Sequence, residues 1–117
     1  YVAGLNVNIN NCTCSADTNI NCLHFVGSGK ISNCTLSGGL RQIGWGEAEG
    51  TVIIENCTFE GADYGIHFDG GTSNVIVRNC VLAAKNSFAQ TLNNVLFVNC
   101  YFKDGCQQQH PAFRKNL

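Results

Sequence analysis

The sequence has little proline, little charge and no long apolar run, and each shortage removes a class of protein. One Pro stands against thirteen Gly in 117 residues. No apolar stretch approaches the roughly 20 residues needed to cross a bilayer as a helix, and the N-terminus lacks the basic-then-apolar layout of a secretory signal. Seven basic and eight acidic residues leave a net charge of -1. They form no basic stripe for nucleic acid and no polybasic or amphipathic run for membrane insertion. No Gly-rich phosphate loop opens onto a helix, and no Ser, His and Asp set recurs in phase. An initiating Met is also missing, as expected of a processed product or a piece of a larger protein.

What is present points to a folded β domain. With 44% hydrophobic and 13% charged residues, a chain of this length buries a core as a single domain. Asparagines are abundant, most of them beside Val, Ile or Cys, and the glycines punctuate short apolar runs. That mixture predicts short strands separated by tight turns. Six of the eight cysteines follow an Asn directly, in pairs that begin at Asn11, Asn21, Asn33, Asn56, Asn79 and Asn99.

Five of these pairs mark an internal repeat. "KISNCTL" (30–36), "IIENCTF" (53–59), "VIVRNCVL" (75–82) and "LFVNCYF" (96–102) share one template: apolar, any, Asn, Cys, any, large apolar. "NINNCTC" (8–14) is a fifth copy that ends on Cys14 instead of Leu or Phe. From Asn11 through Asn33, Asn56 and Asn79 to Asn99 the steps are 22, 23, 23 and 20 residues. Each copy is rich in β-branched residues and alternates with period two on both sides of the Asn, so it reads as strand, turn, strand. A third short strand is expected between copies, at "INCLHF" (20–25), "LRQIGW" (40–45), "YGIHF" (64–68) and "SFAQTL" (87–92). Three strands in about 22 residues is the period of a right-handed, single-stranded parallel β-helix, an all-β solenoid of about five coils.

In that register the Asn has a mechanical task. A sharp bend between strands needs backbone near the left-handed region, which Asn tolerates better than most residues. Strands about 4.8 Å apart also let Asn11, Asn33, Asn56, Asn79 and Asn99 stack as a hydrogen-bonded ladder. Ile31, Ile54, Val77 and Phe97 form one inward stack, and Leu36, Phe59, Leu82 and Phe102 form a second. Cys12, Cys34, Cys57, Cys80 and Cys100 become a vertical file inside the core, five thiols expected to react only after denaturation.

These copies, above all "GTVIIENCTFEGADYGIHFDGGTSNVIVRNCVL" (50–82), resemble the coils of the pectate-lyase-like right-handed parallel β-helix superfamily. The resemblance covers residues 5 to about 105. It implies the fold, with its Asn ladder and aliphatic stacks. It does not select an activity, because that superfamily holds polysaccharide lyases, glycoside hydrolases, phage tailspikes and fibres, and surface adhesins.

Other readings of the reactive residues compete with this scaffold. Cys12, Cys14, Cys22 and His24 place soft ligands at i and i+2, the weaker alternative of a zinc site, but the spacing matches no strong template. A Cys14 to Cys22 disulfide closing the first coil ranks above it if the protein is extracellular. Cys106 stands outside the file. The "NCT" triplets at Asn11, Asn33 and Asn56 match the N-glycosylation acceptor formally, yet an amide held in a ladder is a poor acceptor. Thr13, Thr35 and Thr58 form an outward file that Val81 and Tyr101 interrupt, which weakens an ice-binding reading.

Candidate acid or base groups are Asp63, His67 and Asp69 in "DYGIHFDGG". By resemblance, enzymes of this fold group acidic residues on neighbouring coils, as calcium ligands with a basic group in the lyases or as grouped Asp in the hydrolases. Here one period of 23 earlier lie Gly44 and Gly46, and one period later Gln90, so the constellation is missing. Trp45 aligns with Phe68 as a core position.

The sequence therefore predicts a β-helix over residues 1–105 and a cap or oligomer-contact tail over 106–117. The expected function is a structural or recognition module of a phage fibre or tailspike, or of a bacterial surface adhesin, located outside the cell or on a virion surface. Enzymatic activity is not favoured, and no cofactor is implied. The expected partners are a surface polysaccharide and, through open solenoid ends, copies of itself or further coils of a longer chain. The alternatives are a fragment of a polysaccharide lyase or glycoside hydrolase, and a self-assembling extracellular filament subunit.

Overall fold

The computed structural model describes residues 2–17, 23–38, 41–60, 64–68, 74–83, 89–90 and 95–103. All regular structure in them is β, in twelve strands: β1 (Val2–Asn10), β2 (Thr13–Ala16), β3 (Leu23–Ser32), β4 (Thr35–Gly38), β5 (Arg41–Glu55), β6 (Thr58–Glu60), β7 (Tyr64–Phe68), β8 (Asn74–Arg78), β9 (Val81–Leu82), β10 (Ala89–Gln90), β11 (Val95–Val98) and β12 (Tyr101–Phe102). They build two sheets, and every pairing is parallel. The smaller sheet runs β2-β4-β6-β9-β12. In the larger, β1-β3-β5-β7-β10 is the main path, while β8 pairs with the second half of β5 and β11 with β8. Among the described residues neither sheet closes on itself.

The register follows the sequence repeat. Ile9 lies opposite Ile31, Ile31 opposite Ile54, Ile54 opposite Val77 and Val77 opposite Phe97. On the other side of each Asn, Cys14 pairs with Leu36, Leu36 with Phe59, and Leu82 with Phe102. Alternation decides which residues are buried. In β8, Val75 and Val77 are buried between partly exposed neighbours, the period-two signature of a half-buried strand. Phe59, Phe97, Ile31, Leu36, Ile54 and Leu82 are the largest fully buried side chains. Together the two sheets thus enclose one contiguous core. Phe97 and Phe102 meet edge to face across it, with ring centroids 5.2 Å apart.

The third strand of each repeat does not stand apart in the middle of the chain. In β3 and β5 it runs on into the strand that precedes the Asn, and shifts of register take the place of a break. Two glycines permit this close passage. A Cβ at Gly27 (φ 119°) would lie 1.8 Å from the Gly4 carbonyl oxygen, and one at Gly29 (φ 143°) would lie 1.9 Å from that of Val7. Opposite this segment, β1 carries a bulge in which Leu5 and Asn6 face the single residue Ser28.

The Asn residues supply the bends. Asn11, Asn33, Asn56, Asn79 and Asn99 all have positive φ, between 52° and 59°. An L-residue other than Gly or Asn is destabilised there by about 1–2 kcal/mol. Asn56→Gly is accordingly expected to change unfolding free energy by less than about 1 kcal/mol, whereas Asn56→Ala costs about 1–2 kcal/mol. Urea denaturation of both variants checks this ordering, and equal losses would contradict it.

Candidate functional site

Each bend is fixed by two backbone hydrogen bonds to its neighbours. The Asn N–H donates forward, to the carbonyl of the residue that precedes the next Asn: Asn11 to Ser32, Asn33 to Glu55 and Asn56 to Arg78 at 3.2 Å, and Asn79 to Val98 at 3.0 Å. The residue after each Cys donates backward, to the carbonyl of the preceding Cys: Thr35 to Cys12, Thr58 to Cys34, Val81 to Cys57 and Tyr101 to Cys80, at 2.9–3.0 Å. Two side-chain rungs add to these. Asn99 Nδ2 donates to Asn79 Oδ1 at 2.7 Å, and Asn33 Nδ2 donates to Asn10 Oδ1 at 2.9 Å. The first rung therefore lands on Asn10 and not on Asn11. Ser32 Oγ shares the same acceptor at 3.0 Å.

The cysteines turn in from the bend. Cys34, Cys57 and Cys80 are 3%, 2% and 2% exposed. Each thiol donates to the carbonyl two residues before it, Cys34 to Ser32 at 3.1 Å, Cys57 to Glu55 at 3.2 Å and Cys80 to Arg78 at 3.2 Å. Cys100 lies within reach of Val77 O at 3.3 Å and Val98 O at 3.4 Å. Cys57 and Cys80 also face a carbonyl of the preceding repeat, Cys57 that of Ile31 at 3.7 Å and Cys80 that of Ile54 at 3.7 Å. Interaction with the neighbouring Cys100 and Cys57 side chains, together with burial, pushes the Cys80 thiol well up. Interaction with the Cys80 side chain, which outweighs burial, holds Cys100 down to about 7. Burial raises Cys34 and Cys14.

Several expectations require correction. Cys12 is exposed, so the buried file begins at Cys34, and Cys100 is only half-buried. The reason is position: Cys12 belongs to the first repeat and Cys100 to the last, and burial of a stacked residue needs a neighbour on each side. Cys14 is a half-buried thiol packed against the core in register with Leu36, which makes it a member of the second apolar stack. Its expected partner Cys22 lies outside the described residues. The same is true of Asp63, Asp69 and Cys106. His24 and His67 are described by backbone register alone, His24 opposite Gly44, and His67 opposite Gly44 on one side and Gln90 on the other. Among the described residues no group of three or more His, Cys, Asp or Glu converges on a point.

Two features of the outer face were not anticipated. Glu55 Oε1 receives Arg78 Nη2 at 2.7 Å, Arg78 Nε at 3.2 Å and Lys30 Nζ at 3.1 Å. Glu55 and Arg78 stand directly before Asn56 and Asn79, so the template itself carried the signal for their pairing. Beside this cluster an open depression of about 370 Å³ is lined by Asn6, Val7, Asn8, Gly29, Lys30, Thr51 and Ile53. Asn6 has φ 57° at the β1 bulge, and its N–H donates to Ser28 Oγ at 3.1 Å. No Cys follows Asn6, so nothing in the template marks it. The "NCT" asparagines are exposed, and Asn33 spends its amide on Asn10.

No family model, no curated protein and no solved structure matched the chain.

Thiol chemistry distinguishes the file from the ends. With iodoacetamide and peptide mass analysis, Cys12 is expected to alkylate first. Cys34, Cys57 and Cys80 should react only in denaturant, and Cys100 at a rate that rises through pH about 7. Uniform reactivity in the native protein would contradict the burial order. The charge cluster has its own signature. Hydrogen bonds from Arg78 and then Lys30 hold the Glu55 carboxyl below its ordinary value. Its contribution to stability is therefore present above the ordinary carboxylate range and is lost as pH falls through the depressed value. Glu55→Gln should remove that contribution, lowering stability only modestly at neutral pH because Arg78 and Lys30 are partly exposed. It should also flatten the acid limb of a stability-against-pH profile measured by urea denaturation; an acid limb as steep as that of the unaltered protein would contradict it.

Proposed function

We propose that the chain forms a right-handed parallel β-helix of about five coils, of the pectate-lyase-like type. Its role is that of a structural or recognition module in a phage fibre, tailspike or bacterial surface protein. The observation that carries this reading is the recurrence of a left-handed Asn at the same phase in five repeats, each bend hydrogen-bonded to the next. A solenoid built so is stabilised locally, coil on coil, and tolerates variation at every outward position. Such a scaffold suits display rather than a deep catalytic pocket.

The depression near Lys30 is the surface we assign to contact with a polysaccharide. Asn6, Asn8, Lys30 and Thr51 supply hydrogen-bonding groups, and Ile53 supplies an apolar floor, the combination of polar and apolar contacts that recognition sites use. Of the two alternatives, the self-assembling filament draws on the edge strand β1, where Leu5 is 65% exposed, an exposure that a second copy or further coils of a longer chain would both cover. A parallel sheet edge of that kind accepts another strand.

A panel of anionic and neutral surface polysaccharides, with and without calcium, tests the proposal. Binding without product formation is expected, weakened by at least about tenfold in an Asn8→Ala, Thr51→Ala double variant, since about 1.4 kcal/mol corresponds to tenfold. Cleavage that is abolished by His67→Ala or Asp69→Ala would replace the module with an enzyme. Mass that rises with protein concentration, with no glycan bound at all, would favour the filament.

A further inference from the structure

We propose that Cys80 and Cys100 form a two-coordinate binding site for a soft d10 cation of the Cu(I) class. The two residues occupy equivalent places in adjacent repeats. Val77 pairs with Phe97 before them and Val81 with Tyr101 after them. Tyr101 N–H donates to Cys80 O at 2.9 Å, and Asn79 N–H donates to Val98 O at 3.0 Å, so neither bend can slide past the other. The two thiols take equivalent positions on adjacent strands, Cys80 Sγ reaching Arg78 O at 3.2 Å and Cys100 Sγ reaching Val98 O at 3.4 Å, with Arg78 and Val98 in register.

This arrangement disfavours the usual fates of a cysteine pair. A disulfide needs an S–S bond of about 2.05 Å and a torsion near 90°, whereas in-register parallel strands hold the Cβ vectors side by side at about 4.8 Å. Structural zinc needs four convergent ligands, and the described residues hold no such group. A linear ion fits. Two collinear metal–sulfur bonds, each a little shorter than the about 2.3 Å of a zinc–thiolate bond, span slightly less than the about 4.8 Å between neighbouring strands, a gap that rotation of the two side chains closes. Thiolate is the ligand type that selects Cu(I).

Position in the stack selects this pair over Cys34–Cys57 and Cys57–Cys80. A monovalent ion between two thiolates carries one net negative charge, which is costly to bury. Cys80 is sealed in the core, but Cys100 is half-buried, so the ion enters at the last repeat and the charge stays near solvent. On binding, two S–H bonds break, two metal–sulfur bonds form and two protons leave to water. No oxidation state changes. The hydrogen bonds given up are those of thiols to carbonyls, which are weak.

The test uses the full chain carrying Cys12→Ser, Cys22→Ser and Cys106→Ser, which removes three thiols outside the buried file. Cu(I) is added anaerobically as its acetonitrile complex against a chromophoric chelator. Native mass and near-ultraviolet sulfur-to-metal charge transfer report binding, and far-ultraviolet circular dichroism reports folding. One retained ion per chain is expected, with affinity reduced at least about tenfold by Cys100→Ser. Because Cys100 is half-buried, this variant keeps its fold, and it carries the test if Cys80→Ser does not. Zn(II) at the same concentration should not bind. Equal affinity in Cys100→Ser, equal binding of Zn(II), or uptake only in denaturant would each overturn the proposal.

Discussion

The left-handed bend at asparagine is the constraint on which the rest of the structure depends. Inward residues on a strand recur every second position, yet Ile54 and Cys57 are three apart and both are buried. One residue of left-handed backbone between them reverses the phase and directs the chain into the other sheet. Asn56 provides it without a glycine's entropic penalty. Once that bend recurs at matching positions, the backbone bonds from Asn to the next repeat and back to Cys follow from geometry. Parallel pairing of both sheets then follows from the bends.

The cysteines are a consequence of that bend as much as a chemical feature. The position after Asn faces inward where the two sheets converge, leaving room for a small side chain and a carbonyl that a weak donor can reach. A thiol meets both conditions, being apolar enough for the core and able to donate to Ser32, Glu55 or Arg78. Stacking them in register makes neighbouring thiols interact, so that the file is chemically uneven. Cys80 is suppressed by burial and by its neighbours, while Cys100 at the half-open end is eased toward ionisation. Reactivity in such a file is set by distance from an end.

Much of the fold was legible in the sequence because chirality and period act locally. The positions of Asn11, Asn33, Asn56, Asn79 and Asn99, the Ile31 and Leu36 stacks, and the parallel register all lie in the template. What was not legible depended on contacts between repeats or on the ends of the stack. The bulge at Asn6 arises from the close approach of Gly27 to Gly4, which no single repeat encodes. Cys12 follows the template, yet it is exposed because its repeat is the first. The Lys30, Glu55 and Arg78 cluster shows the opposite case: Glu55 and Arg78 hold equivalent template positions, so their pairing could have been read from the repeat. Asp63 and Asp69, which flank His67 in the sequence, lie outside the described residues.

The central claim is that five asparagines hold left-handed backbone and lock adjacent repeats in parallel register. Solution NMR of the isotopically labelled chain tests it most directly, through coupling constants that report the sign of φ and through contacts between backbone protons of neighbouring strands. The account predicts positive φ at Asn11, Asn33, Asn56, Asn79 and Asn99, with Thr58 close to both Thr35 and Val81. Negative φ at those asparagines, or antiparallel contacts between the strands that flank them, would contradict it.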